Sequence, residues 1–140
     1  AGYSSGQARY VEGLNPTIQS RIFDTDYPEH IVKIASSYTL PGNLDRLRLG
    51  ASLSWQSRIF NQSLRGANFN NVSFLVEQAP YAVADAMVAW KIDARTELQV
   101  NVNNLFDKHY YKAVGYDIRW GSTEAYGDPR NVMVTLRTRL

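Results

Sequence analysis

The two histidines of the chain, His30 and His109, lack the company that acid–base or nucleophilic chemistry needs. A base must meet a nucleophile and be oriented by a third group, and no Ser or carboxylate falls at a spacing that recommends such a set. The stretch FDTDYPEH brings Asp24, Asp26 and Glu29 close together. Their hard oxygens could hold calcium in a loop, but the EF-hand spacing is missing and a solvated acidic turn is the plainer reading. Cysteine is absent, which excludes disulfide staples, thiolate catalysis and Cys-ligated metals and leaves the redox compartment open. The sequons NQS and NVS, at Asn61 and Asn71, arise by chance in an Asn-rich loop. No organised constellation marks an enzyme, and the expectation is a protein that catalyses nothing and carries no cofactor.

Positioning must therefore come from the pattern of elements. With Lys and Arg numbering 15 against 13 Asp and Glu, the net charge of +2 argues against nucleic acid gathered by bulk charge. No stretch approaches the ~18 consecutive apolar residues of a spanning helix. Period-two alternation dominates instead. In RLRLGASLSW, Leu47, Leu49, Ala51, Leu53 and Trp55 share one face, and Arg46, Arg48, Gly50, Ser52 and Ser54 the other. HIVKIASSYTL sets Val32, Ile34, Tyr38 and Leu40 opposite Lys33, Ala35, Ser37 and Thr39, and the breaker-rich PGNLD joins the two runs into a hairpin. YAVADAMVAWKI places Ala82, Ala84, Ala86, Val88, Trp90 and Ile92 against Tyr81, Val83, Asp85, Met87, Ala89 and Lys91. The last run, Asn131 to Leu140, sets Val132, Val134, Leu136 and Leu140 against Met133, Thr135, Arg137 and Arg139.

The connections alternate in length. PGNLD and DAR are short, whereas Ser5 to Glu29, Arg58 to Pro80 and Gly115 to Arg130 are long and rich in Gly, Asn, Pro and aromatic residues. Compact soluble domains rarely tolerate such loops without internal structure. All long loops then lie at one end of the sheet and all tight turns at the other, as in outer-membrane barrels. In LQVNVNNLFDKHYY, Leu98, Val100 and Val102 alternate with Gln99, Asn101 and Asn103 before the rule stops. Reading Thr96 to Ala113 as one continuous strand that protrudes from the bilayer brings the C-terminus to the short-turn end. A soluble sandwich, with the oily face packed on a second sheet, would explain the alternation equally well.

LQVNVNNLFDKHYY, followed by YGDPRNVMVTLRTRL at the end of the chain, resembles the last two strands of TonB-dependent outer-membrane receptors, particularly the ferric-siderophore group. TDYPEHIVKIASSYTLPG and LGASLSWQS resemble preceding strands of that family. The chain departs from it at Leu140, where members usually end on Phe. The resemblance implies an all-β, antiparallel up-and-down meander of about six long strands, part of a 22-stranded transmembrane β-barrel. Residues 1–140 would be the C-terminal strands, with the N-terminal plug and remaining strands outside this chain. The opening AGYSS reads as the inside of a strand, and the chain is expected to be part of a longer protein.

The resemblance further implies a bacterial outer-membrane receptor for uptake of ferric siderophores, with iron only as substrate. Its partners would be the ferric siderophore, outer-membrane lipid and, through the plug, TonB, with no nucleic acid. Phe60, Phe69, Phe74, Tyr116, Trp120 and Tyr126 lie in the long loops, where a single aromatic usually packs locally. Tyr116, Trp120 and Tyr126 cluster in the last loop and, with Arg119, are the expected ligand contacts; Arg65 offers a second cation for an anionic chelate. Lys33 and the arginines fall on the lumen side, and Arg46, Arg48, Arg137 and Arg139, near the short turns, are expected to meet plug carboxylates or to stay solvated. Tyr38, Trp55 and Trp90 are the expected membrane girdle. The alternative is a soluble β-sheet binding or structural module with long recognition loops.

Overall fold

Period-two alternation over Val, Ile, Leu and aromatic residues forms strands because each strand can bury or expose a whole face at once. A computed structural model of the chain describes residues 1–7, 27–63, 74–117 and 120–139. Its strands are β1 (Gly2–Ser5), β2 (His30–Thr39), β3 (Leu47–Gln56), β4 (Ile59–Ser63), β5 (Phe74–Gln78), β6 (Tyr81–Lys91), β7 (Thr96–Asn103), β8 (Tyr111–Asp117), β9 (Gly121–Tyr126) and β10 (Asn131–Thr138). They form a six-stranded antiparallel sheet in the order β1-β2-β3-β6-β7-β10, with β4-β5 and β8-β9 as separate two-stranded ribbons. The expected six-stranded meander stands, although β1 has only four residues and the sheet is open rather than closed.

Register makes the two faces explicit. One rank runs Tyr38, Leu49, Val88, Val100, Val134 across five strands, and the next runs Ser36, Ala51, Ala86, Val102, Val132. The opposite side carries Ser37, Gly50, Met87, Asn101, Met133 and then Thr39, Arg48, Ala89, Gln99, Thr135. Nothing among the described residues seals the apolar side. Tyr38 is 62% exposed, Leu49 44% and Val134 63%, and among the described residues the buried hydrophobic ones are only Ile59, Ala89 and Val114. A soluble sandwich would bury this face under a second sheet; here it is left for another apolar medium. At ~3.3 Å per residue, the apolar face of β3 from Leu47 to Trp55 runs about 26 Å along the strand, and at the ~40° tilt of barrel strands it covers about 20 Å of the ~25 Å apolar band of a transmembrane barrel. Among the described residues no helix is long and apolar enough to cross a membrane.

The tight turns close as the breakers predict. In PGNLD, Gly42 takes φ +66, a value costly for residues with a Cβ, and Asp45 N–H donates to the Gly42 carbonyl at 3.2 Å. In DAR, Asp93 Oδ1 accepts the amides of Arg95 at 2.7 Å and Thr96 at 2.9 Å. Those donors, Arg95 first, hold the Asp93 carboxyl below its usual range.

Two expectations change. Thr96 to Ala113 is not one strand: pairing with β6 ends at Val102 and with β10 at Asn103, and Asn104 and Asp107 adopt left-handed φ of 50 and 52. Those angles turn the chain out of the ladder. The C-terminal strand still ends at the short-turn end, because Thr138 pairs with Thr96, but the return is made by a separate hairpin. Second, two of the long loops carry structure of their own: β4 pairs with β5 and β8 with β9, and β8 also lies against β4 and β5. In a bilayer, Val102→Arg on the apolar face should cost the full-length protein about 2–4 kcal/mol, whereas the neighbouring Asn101→Arg should cost under about 1 kcal/mol. Urea unfolding in lipid vesicles measures both.

Candidate functional site

Where β7 leaves the sheet, a polar node gathers the mouth of the structure. Asp85 stands on the inner face of β6; its Oδ2 accepts the Ser52 hydroxyl at 2.8 Å and its Oδ1 accepts the Asn104 amide at 2.9 Å. Asn104 is 3% exposed and uses its whole side chain. Its Oδ1 accepts the Lys108 amide at 2.8 Å, and its Nδ2 donates to the carbonyls of Lys108 at 2.9 Å and Asp128 at 3.0 Å. A buried amide is affordable when every lone pair and hydrogen is matched, and this one nearly is. The adjacent turn is pinned by Leu105 N–H to the Ala84 carbonyl and by Asp107 Oδ1, which accepts the Arg130 amide at 3.0 Å.

Tyrosines line the same end. The rings of Tyr81 and Tyr110 stack at 4.2 Å, and Gly127 N–H donates to the Tyr110 carbonyl. A side chain at residue 127 would overlap the Tyr110 ring. Burial pushes the Tyr110 phenol up, with the carboxylates of Asp128 and Asp85 adding to it. Tyr111 donates its amide to Gln78 Oε1 at 2.8 Å and meets Tyr126, with hydroxyls 3.3 Å and ring centroids 4.7 Å apart. That hydroxyl contact raises the Tyr111 phenol above its ordinary value.

The aromatics expected as ligand contacts are strung along the β8-β9 ribbon rather than gathered at one point. Tyr126 sits at its base against Tyr111, whereas Trp120, 82% exposed, precedes β9 at the tip. Tyr116 pairs with Ser122 near that tip. Arg119 lies outside the described residues, as do Arg65, Phe69, Asn71, Asp24 and Asp26. Arg58 pairs with Glu77 at 3.5 Å and lies 5.0 Å from the centre of the Phe60 ring, within the β4-β5 ribbon. His30 meets the Tyr3 hydroxyl at Nδ1, 3.0 Å away, with the Glu29 carboxylate 3.9 Å from Nε2, far from His109 in the chain. Among the described residues no group of three or more His, Cys, Asp or Glu could hold a metal ion.

The inner wall changes character from mouth to turns. Its middle holds small residues, hydroxyls and amides with the single carboxylate of Asp85, around a cavity of about 430 Å³ lined by Ala35, Ser37, Ser52, Asp85, Gln99, Asn101 and Asn103 among others. At the turn end a second cavity of about 370 Å³ is lined by Lys91, Arg95, Arg137 and Arg139 with Asp93 and Glu97. Arg48 pairs with Glu97 at 3.5 Å, and Arg46 donates to the Ile92 carbonyl at 3.3 Å. Alternation already sets Lys91 on this face without marking it as a site residue, and Arg95 and Glu97 escape the sequence reading, although register with Arg137 points to Glu97. Of the expected girdle, Trp55 aligns with Val32 and Ala82 toward the long-loop end, while Trp90 aligns with Leu47 and Leu98 at the short-turn end. Tyr38 lies one rank inside Trp90.

With this geometry in hand, comparisons with known proteins converge. The family model described as TonB dependent receptor-like, beta-barrel, matches residues 2–105. The ferric-pyoverdine M114 receptor PbuA of Pseudomonas sp. is 31% identical over 98% of this chain, which spans 16% of that relative. The ferripyoverdine receptor of Pseudomonas aeruginosa is 30% identical over 94% of this chain and 15% of its own length. Its crystal structure bound to ferripyoverdine superposes with a TM-score of 0.73 at 30% identity, covering 85% of this chain and 15% of that one. The ferric-catecholate import receptor Fiu of E. coli K12, in its open form, gives a TM-score of 0.62 at 25% identity, covering 79% and 15%.

Gly127→Ala should drive the Tyr110 ring off Tyr81 at a cost of about 1–3 kcal/mol, the range for an overpacked contact. Peptide-resolved hydrogen exchange should then quicken around Tyr110 and Gly127 while the β2-β3 hairpin keeps its protection.

Proposed function

We infer the work of this chain from one premise: it belongs to the TonB-dependent receptor β-barrel family. Its relatives are outer-membrane receptors, and its place is the bacterial outer membrane. The chain spans about one-sixth of the length of those relatives, so it supplies one sector of a barrel wall. The longer protein captures a ferric siderophore at the long-loop end and admits it to the periplasm with energy delivered by TonB through a plug in the lumen. Iron is cargo, and no bond is made or broken by the wall.

One observation supports this reading above the others. The sheet has an uncovered apolar face, an opposite face of amides and hydroxyls, and folded ribbons only at one end. Hydrocarbon suits the first, a wet lumen the second and an external ligand the third. Relatives named for ferric pyoverdine make that siderophore class the first to test. In this reading Tyr116, Trp120, Tyr126 and Arg119 meet the ligand along the β8-β9 ribbon. Arg46, Arg48, Arg137 and Arg139, with Lys91 and Arg95 beside them, meet acidic groups of the plug.

The full-length receptor, expressed in an iron-starved strain without other receptors, should import iron from ferripyoverdine only when TonB is active. Uptake from haem alone, or from none of ferripyoverdine, a ferric tris-hydroxamate and a ferric tris-catecholate, would refute the siderophore reading. Replacing Tyr116, Trp120 and Tyr126 together by Ala should weaken binding by about tenfold or more, at ~1.4 kcal/mol per decade. Arg48→Gln with Arg137→Gln should leave that affinity unchanged and lower the rate of uptake. Unchanged uptake in the double variant would remove the plug-facing role from these arginines.

A further inference from the structure

The node at the mouth grips both legs of the β8-β9 ribbon. Lys108, bonded twice to the Asn104 side chain, lies just before Tyr111 on the entering leg, and Asp128, bonded once, lies just after Tyr126 on the leaving leg. Asn104 is itself anchored by its amide to Asp85, which also holds Ser52 of β3. One hydrogen-bonded path thus runs from two wall strands, through the end of β7, to both feet of the ribbon. The charge of Asp85 strengthens the bond to the Asn104 amide, and the burial of Asn104 shields its bonds from competing water.

We propose that Asp85 and Asn104 are positioning residues for ligand capture: they set the attitude of the β8-β9 ribbon, and with it Tyr126 and Trp120, over the lumen. This rests on the ferric-siderophore reading and adds to it a determinant of affinity that does not touch the ligand. The residue type follows from two demands. A φ of 50 admits Gly, Asn or Asp with least strain, and of these only Asn carries both an acceptor for the Lys108 amide and a donor for two carbonyls. Gly keeps the turn and loses all the side-chain bonds. Asp keeps the acceptor and points an oxygen at the carbonyls of Lys108 and Asp128.

The test uses the full-length receptor in outer membranes with ferripyoverdine as probe. Affinity, the number of sites per receptor and uptake at saturating ligand are measured for Asn104→Gly, Asn104→Asp and the milder Ser52→Ala, which removes one donor from Asp85. Loss of these hydrogen bonds predicts Kd raised about tenfold or more in the Asn104 variants and about threefold in Ser52→Ala. Site number and saturating uptake should stay at the wild-type level in every variant that reaches the membrane. A Kd unchanged across them, or a loss confined to site number, would reduce the node to a structural role and overturn the proposal. Wild-type receptor that binds none of ferripyoverdine, a ferric tris-hydroxamate and a ferric tris-catecholate overturns the parent reading, and this inference with it, before any variant is compared; where it binds one of the other two instead, that chelate is the probe.

Discussion

A strand facing hydrocarbon has no water to satisfy its amides and carbonyls, so every backbone group must find a partner strand. Inside the sheet this holds: β3, β6 and β7 each pair on both sides, in ladders up to ten residues deep between β3 and β6. β1, β10 and most of the outer side of β2 keep an open edge in this sector. The order β1-β2-β3-β6-β7-β10 skips numbers in two places. There the chain leaves the wall, forms a ladder with itself as β4-β5 or β8-β9, and returns to the vacated edge. Self-paired ribbons let long excursions grow at one end without opening the wall.

The same constraint explains why the side chains divide so sharply. With pairing settled by the backbone, alternate residues are free to suit two different media. The apolar ranks hold Leu, Val, Ala and aromatics, while the inner ranks tolerate Gly50, Met87, Ser52 and a run of amides that bond one another, as Gln99 does with Asn101 at 2.9 Å and Asn103 with Asn131 at 2.8 Å. Apart from Asp85, charge on the inner face gathers toward its ends. Cations collect beside the short turns, with Glu97 and Asp93 offsetting part of them, and the mid-wall carboxylate of Asp85 is held by donors on two elements.

Asn104 marks the boundary between the two regimes. Up to Asn103 the backbone answers to the wall, and beyond it the chain answers to the mouth. A residue that accepts left-handed φ while bonding three backbone groups through its side chain makes that change within one position. The ladder is replaced locally by side-chain bonds, so the break leaves few groups unpaired. Among the described residues no buried side-chain nitrogen or oxygen lacks a partner.

Composition and alternation alone determined much here. The period of two named the strands and their oily faces, breakers such as Pro41 and Gly42 located the tight turns, and loop lengths told one end from the other. Those signals are local, and local chemistry reports them faithfully. The end of β7 was misread because Asn104 and Asp107 look like ordinary polar residues until their partners at Asp85, Asp128 and Arg130 are brought near by folding. For the same reason the last-loop aromatics read as one cluster, whereas cross-strand pairing separates Tyr126 from Trp120 along a ribbon. Which face meets which medium is written in the chain; which distant groups bond to end a strand and orient its loop is settled only when the register brings them within reach.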